Sequence, residues 1–343
     1  MSNRREFLKK AGLGALGISS LKSSRENETS SAKKFSIVHL TDQHVTSRRK
    51  GDKGYLKCIE SINKLKSAPE LVLMGGDMVF DGLYTDLDIY KESIQLYKEI
   101  TQKLHIPHYN CLGNHDVLGL SSRRKVPVDF DGIGRKMIMK ELGMTKDYYS
   151  FNHNGWHFVI LNSIFEFNGD TGPSYEPKIG EDQLNWLRFD LGAHQGMPTI
   201  AVSHHAAFSH KGQINQDLEM KAMSSIILSD NKELRLILER HKVKALLQGH
   251  THMSEDFIFN DVRYITSQSA SAAWWGGNWL GFEPGYTVLE LGESDILNWY
   301  PVTYEWEHQL EPEDTLERER IEERKEFEKE QERLLQSEIN KRP

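Results

Sequence analysis

Cysteine is scarce. Two in 343 residues, Cys58 and Cys111, make neither a disulfide framework nor zinc-ribbon spacing. They read as small buried hydrophobes. A basic excess is also missing. Lys and Arg total 43 against 50 Asp and Glu, a net charge of -7, and a nucleic-acid polymer is not expected as a partner. With that balance, an anionic small molecule must be drawn in locally, by metal or by a few placed cations. There is no apolar run of the ~20 residues that a membrane span needs; Ala11–Leu21 falls well short. No repeat recurs at a fixed period. No His-Glu-x-x-His motif is present, which removes a zinc peptidase of that type.

What is there is 38% hydrophobic and 10% aromatic residues, enough for one large domain or two small ones. The start, "NRREFLKKAGLGALGISSL", has Arg4-Arg5, then Phe7-Leu8, two lysines and a mild apolar run. It resembles a twin-arginine export signal, and residues 1–32 are expected to be signal and polar linker. A periplasmic or extracellular location follows as an expectation. Ser30-Ser31-Ala32 has the small residues of a cleavage site, and no lipid-bearing cysteine follows the apolar run. Residues 33–305 are expected to form the working domain. The remainder, 306–343, is charged, and pairs such as Glu322 with Lys325 support a solvated helix there.

Six segments share one grammar: "FSIVHLTD" (35–42), "ELVLMGGD" (70–77), "IPHYNCLGNHD" (106–116), "HFVILNS" (157–163), "TIAVSHH" (199–205) and "VKALLQGHTH" (243–252). Each begins apolar and β-branched, as a buried strand does, and ends polar. Helical stretches lie between them, at 55–67, 85–104, 180–191 and 232–241. The alternation predicts an α/β fold with parallel pairing, and two hairpin-like segments after residue 255 make a mixed sheet. In such folds ligands bind beyond the carboxyl ends of the strands.

Those ends carry Asp42 and His44, Asp77, Asn114 and His115, His204, and His250 with His252. Oxygen and imidazole donors suit borderline divalent ions such as Zn, Mn or Fe. One open catalytic metal uses about three protein ligands, so this set fits two ions better. In extended backbone, residues i and i+2 share a side, which predicts that Asp42 with His44, and His250 with His252, each grip one centre.

Asp-x-His, Gly-Asp, Gly-Asn-His-Asp, His and Gly-His-x-His in this order resemble the calcineurin-like metallophosphoesterases over residues 35 to about 255. The resemblance implies a four-layer αββα sandwich of two mixed β-sheets. It implies that Asp42, His44 and His252 hold a first metal, Asn114, His204 and His250 a second, and that Asp77 bridges them. His250 and His252 would then serve different ions. In "SHHAAF" the resemblance selects His204 as the ligand, leaving His205 to line the site. His115 is the expected proton donor to a leaving alkoxide, with Asp116 a candidate to fix its tautomer. The family's purple acid phosphatases carry a tyrosine three residues after the bridging aspartate; Phe80 stands there, so no iron–tyrosinate colour is expected.

The expected activity is hydrolysis of small phosphate esters by a two-metal centre that lowers the pKa of a shared water from 15.7 to about 7. Diesters, cyclic nucleotides among them, are slightly favoured over monoesters. Trp274 and Trp275, in "SASAAWWGGNWLGFEPG", are candidates for an aromatic rim, and Arg123, Arg124 and Lys125 for a second anionic contact. The alternative is a non-catalytic protein that keeps the fold to capture metal or ligand.

Overall fold

The computed structural model describes residues 34–214 and 221–339; the twin-arginine stretch lies outside the described residues. Thirteen strands and seven helices follow in order: β1 (Phe35–Leu40), α1 (Gly51–Asn63), β2 (Leu71–Met74), α2 (Leu87–Thr101), β3 (His108–Asn110), α3 (Lys136–Glu141), β4 (Tyr149–His153), β5 (Trp156–Ile160), β6 (Ile164–Gly169), β7 (Gly172–Pro177), α4 (Glu181–Ala193), β8 (Thr199–Ser203), α5 (Lys211–Ile214), α6 (Asn231–Arg240), β9 (Ala245–Gln248), β10 (Glu255–Phe259), β11 (Val262–Thr266), β12 (Gly285–Leu291), β13 (Ile296–Thr303) and α7 (Thr315–Ile339). No described helix is long and apolar enough to cross a membrane.

Two mixed sheets carry the structure. One has five strands in the order β13-β12-β1-β2-β3, the other six in the order β10-β11-β9-β8-β5-β4; β6 and β7 form a separate hairpin. Pairing is parallel between β1, β2 and β3, and again between β5, β8, β9 and β11. Antiparallel strands stand at three of the four sheet edges, β13, β10 and β4, while β3 is a parallel edge; the β10–β11 and β12–β13 pairs are the two hairpin-like segments predicted.

The side-chain period of a strand explains the layering. From β1, Phe35 and Ile37 point between the sheets, where they meet Leu71, Leu73, Phe158, Ile160, Ile200, Val202, Leu247 and Leu289. Val38 and Leu40 point outward, under Tyr55, Ile59 and Ile62 of α1 and Tyr90, Ile94 and Tyr97 of α2. The second sheet repeats the scheme, with Val159, Ala201 and Leu246 under Leu184 and Leu187 of α4 and Leu234 and Leu238 of α6. Strands covered on both faces read as unbroken apolar runs, which is why they were easy to see. The result is the αββα sandwich. All the central parallel strands end at one edge of it, and the polar segments begin there.

Candidate metal centre

Each expected metal ligand, and His115 with them, lies in the segment that directly follows a parallel strand: Asp42 and His44 after β1, Asp77 after β2, Asn114 and His115 after β3, His204 after β8, His250 and His252 after β9. Backbone bonds stitch these turns together. Asp42 N–H donates to Gly76 O at 2.9 Å, His44 N–H to Asp77 O at 2.9 Å, and Gly249 N–H to His204 O at 3.0 Å. Gly249 is needed because a Cβ there would lie 2.2 Å from Thr41 Oγ1; one at Gly113 would lie 2.2 Å from Asp77 Oδ1. These are the approaches that let the loops crowd around one point.

The extended backbone expected for the x-two pairs is not what forms. Asp42, His44, His250 and His252 have φ of 55°, 42°, 67° and 61°, and Asp77 has 53°. Side chains on left-handed residues do not alternate as on a strand. Asp42 and His44 still meet, joined by His252, with ligand atoms within 4.8 Å of one another. His250 turns to Asp77 and His204 in a second group of the same spread. The separation of His250 from His252 therefore agrees with the family-based expectation and overturns the one drawn from strand geometry.

The donor chemistry tests whether metal fits. His44 Nδ1 faces Phe80 O at 3.0 Å, His252 Nδ1 faces Ala272 O at 2.5 Å, His204 Nδ1 faces Gly75 O at 2.9 Å and His250 Nε2 faces Ser225 O at 3.0 Å. A carbonyl only accepts, so each of these nitrogens carries the hydrogen and the other ring nitrogen carries a lone pair. Those lone pairs point at one another. His44 Nε2 is 3.2 Å from His252 Nε2, His252 Nε2 is 3.2 Å from Asp42 Oδ1, and His250 Nδ1 is 3.3 Å from His204 Nε2. Asn114 Oδ1 is 3.2 Å from His204 Nε2. Acceptors gathered this closely need cations between them, and the carbonyl-anchored second nitrogen is the usual support of a metal-ligating histidine. The residues fit divalent ions.

Protons stand in where they can. Burial works against a charged His204, but Asp77, whose Oδ2 is 3.0 Å from His204 Nε2, pushes its pKa up to about 9. Burial would raise the Asp77 and Asp42 carboxyls, yet the imidazoles around them, His204 first for Asp77 and His252 first for Asp42, hold both well below the usual range. Burial lowers His44 and His250 to about 3, so both stay neutral and ready to coordinate. An ion bound at His204 Nε2 would have to displace that proton.

His115 behaves differently. Its backbone N–H donates to Asp77 Oδ1 at 2.7 Å, and its Nδ1 meets Asp81 Oδ1 at 3.0 Å. Burial would lower its pKa, but Asp77 and then Asp81 raise it overall. Asp81, unremarked in the sequence, is thus the tautomer-fixing partner expected of Asp116. The Asp116 carboxylate instead accepts backbone N–H bonds from Met78 at 2.7 Å, Val79 at 3.1 Å and Gly113 at 2.8 Å. It locks the turn bearing Asp77 to the turn bearing Asn114 and does not touch the His115 ring.

A cavity of about 490 Å³ opens beside His115, walled by Phe80, Tyr84, Trp274 and Trp279 with Arg48 and Arg49 at its edge. Trp274 packs its ring 5.1 Å from that of His44 and 4.8 Å from that of His252. Trp275 is not part of the rim: it is fully buried, donates Nε1–H to His44 O at 3.0 Å, and fills the space over Gly51 and Gly54. His205 is also buried, bonded to Ser163 Oγ at 2.9 Å and lying 4.4 Å from the His250 ring, behind the centre and off the cavity wall. Of the basic trio, Arg124 is committed to the carbonyls of Gly119, Thr171 and Pro173, and Lys125 pairs with Asp86; Arg123 lies over the Tyr84 ring at 4.3 Å. Tyr84 and Arg48 carried no signal in the sequence that set them apart from surface residues.

An αββα sandwich with carboxylate, amide and imidazole donors gathered at its strand ends defines a metal-dependent phosphoesterase. Residues 35–254 match the model of the calcineurin-like phosphoesterase family, and the chain belongs to that family. It is a hydrolase of phosphate esters that depends on divalent metal. It is 26% identical over 243 residues to a 3',5'-cyclic-nucleotide phosphodiesterase of Nostoc, covering 68% of this chain and 78% of that one. A probable glycerophosphodiester phosphodiesterase of Arcobacter nitrofigilis is 23% identical, with the same coverage of 68% and 78%. A solved structure of GAP50, described as the anchor in the inner membrane complex of Plasmodium, has a TM-score of 0.48 at 17% identity, over 82% of this chain and 90% of that one.

Proposed function

We propose that the protein is a dinuclear phosphodiesterase acting on small phosphodiesters, with monoesters the poorer substrates. One observation carries the dinuclear reading: Asp77 Oδ2 lies 3.8 Å from His44 Nε2 of the first group and 3.0 Å from His204 Nε2 of the second. A single carboxylate oxygen between two sets of converging lone pairs is what a bridging ligand requires. Asp42, His44 and His252 would hold one ion, Asn114, His204 and His250 the other. The chemistry that two divalent ions would supply there is acidification of a water to a pKa of about 7 and neutralisation of phosphoryl charge.

The chain's own residues do the rest. Asp77 Oδ1 fixes the His115 backbone, and Asp81 fixes its Nδ1. That leaves Nε2 to give a proton to the departing ester oxygen from the cavity wall, a contribution of about 10²–10⁴-fold. The aromatic walls exclude water and offer flat surfaces to an organic ester group. The names of the relatives, a cyclic-nucleotide and a glycerophosphodiester phosphodiesterase, support the diester preference. Manganese, iron and zinc all suit the donor set.

The test is turnover of a chromogenic diester and the matching monoester by metal-free protein reconstituted with manganese, beside a count of bound metal. Two ions per chain with diester turnover is the expected result. One ion or none at saturation would remove the dinuclear reading and favour a capture protein. Export is proposed on the Arg4-Arg5 pattern alone; undiminished export of an Arg4→Lys, Arg5→Lys chain would refute the twin-arginine route.

A further inference from the structure

Arg49 stands where three segments meet. Its backbone is left-handed, with φ of 50°, and its N–H donates to Glu311 Oε1 at 2.8 Å. Its guanidinium grips Asp314 with two bonds, Nη2 to Oδ1 at 2.5 Å and Nε to Oδ2 at 2.9 Å. On its other side Nη1 donates to the carbonyls of Trp274 at 3.1 Å and Ala273 at 3.3 Å. Arg48 Nε adds a bond to Glu311 Oε2 at 3.2 Å. Asp314 is 7% exposed, so its pair with Arg49 is largely shielded and matters more than an ion pair on a surface, while Arg48 and Glu311 stand at the exposed rim. Only a planar fork can hold a carboxylate with one edge and two carbonyls with another; a lysine cannot.

What the junction holds in place is a cavity wall. Trp274 is itself left-handed, with φ of 47°, a conformation that a bulky residue keeps only when its surroundings impose it. α7 lies close to the same loop, since a Cβ at Gly277 would sit 3.3 Å from Ile321 Cδ1. Residues 273–279 and 311–314 lie beyond the span that matches the family model, residues 35–254.

We infer that the Glu311–Asp314 segment, acting through Arg49, positions Trp274 as the surface that recognises a planar aromatic group on the ester that stays on phosphorus. Arg49 and Asp314 are positioning residues, and Trp274 makes the contact. The inference rests on the phosphodiesterase reading for its substrate and on the junction alone for its structural half.

The experiment uses the full chain, with Asp314→Asn, Asp314→Glu, Arg49→Lys and Trp274→Ala. Two diesters with one leaving group separate the roles: bis(4-nitrophenyl) phosphate retains an aryl ester, and methyl 4-nitrophenyl phosphate retains a methyl. Asp314→Asn and Arg49→Lys should raise KM for the aryl diester about tenfold, the scale of one lost stacking contact. In Asp314→Asn kcat should stay within about twofold, with metal content and the methyl-diester KM unchanged. Asp314→Glu should restore the aryl KM, and Trp274→Ala should reproduce the loss. Amide hydrogen exchange reads the junction without activity: the bonds from Ala273, Trp275 and Gly276 N–H to Gly277, Ser271 and Ala273 O should open at least about tenfold more often in Asp314→Asn. Unchanged exchange would overturn the clamp. Faster exchange with equal effects on both diesters would overturn the recognition role. Should wild-type protein cleave neither diester, the phosphodiesterase reading fails by itself. The same aryl-to-methyl ratio is then read from equilibrium binding of phenylphosphonate and methylphosphonate, and an unchanged ratio in Asp314→Asn would again overturn recognition.

Discussion

The six-stranded sheet carries a His and Asp cluster at each of its two ends, and they have opposite characters. At the carboxyl end of β8 and β9 stand His204 and His250 with Asp77; at the start of β5, His157 meets Asp190 and His194 from the end of α4. Both triads bring their ligand atoms within 4.8 Å. In the second, His157 spends both nitrogens on side-chain oxygens, Asn152 Oδ1 at 2.6 Å and Asp190 Oδ2 at 2.8 Å. His194 Nδ1 donates to Asp190 O at 2.8 Å, and the two rings stack at 3.8 Å and 16°. Stacked rings send their in-plane lone pairs along parallel lines, so they do not converge on an ion. The same residue types thus make a satisfied hydrogen-bond network in one place and an unsatisfied cage in the other. What decides is His157: both of its ring nitrogens are taken by side-chain oxygens, whereas His204 and His250 each spend one on a backbone carbonyl and turn the other toward the cage.

Removing the cage should have the largest effect. Asp77→Ala should lose both bound ions and bring turnover to background; a wild-type rate in that variant would end the mechanism. Next comes His115→Ala, which should keep both ions and lose about 10²–10⁴-fold with an alkoxide leaving group, less with nitrophenolate. The network at the other end responds in stability and not in metal. His157→Ala and His194→Ala should leave the metal count unchanged; a third ion lost from either would erase the contrast.

Asp190→Asn sharpens it further. Burial pushes the Asp190 carboxyl up, but hydrogen bonds from His157 and Ser150 outweigh this and hold it below the usual range. A depressed carboxylate contributes stability above its unfolded value of about 3.9, and that stability is lost as pH falls through the folded pKa. Asp190→Asn should therefore melt lower than wild type at pH 7, by about 1–3 kcal/mol for a buried partner left unpaired. The gap should close as the pH is taken below about 4. The smallest effect belongs to the cysteines. Burial pushes both thiols up, so neither Cys58 nor Cys111 should react with iodoacetamide at pH 7.5 until the protein unfolds.

Much of this was legible in the sequence because buried parallel strands announce themselves twice, by unbroken apolar runs and by the polar residues that end them. β1, β2, β5, β8 and β9 appeared that way, and so did the side chains that converge at their ends. The hairpin of β6 and β7 did not: its alternating Phe165 and Phe167 are 41% and 44% exposed, and no unbroken apolar run marks it. Asp81 was missed because its role depends on a loop folding back to His115, which no spacing encodes. Trp275 and Trp274 are neighbours with the same side chain, and only the left-handed turn between core and cavity tells them apart. Strand periodicity misled in one place: it was extended into turns that are not extended.

Those turns have a consequence of their own. Among the described residues, sixteen non-glycine positions have positive φ, and nine of them are candidate ligands or belong to the loop packed on them and its anchor: Asp42, His44, Asp77, His250 and His252, then Ala272, Trp274, Trp275 and Arg49. A left-handed conformation disfavours most side chains by roughly 1–2 kcal/mol each. The centre is thus a frustrated patch on an otherwise consistent fold, where local preference and global structure disagree residue after residue. A map of backbone dihedrals, with the side chains erased, would still point to it.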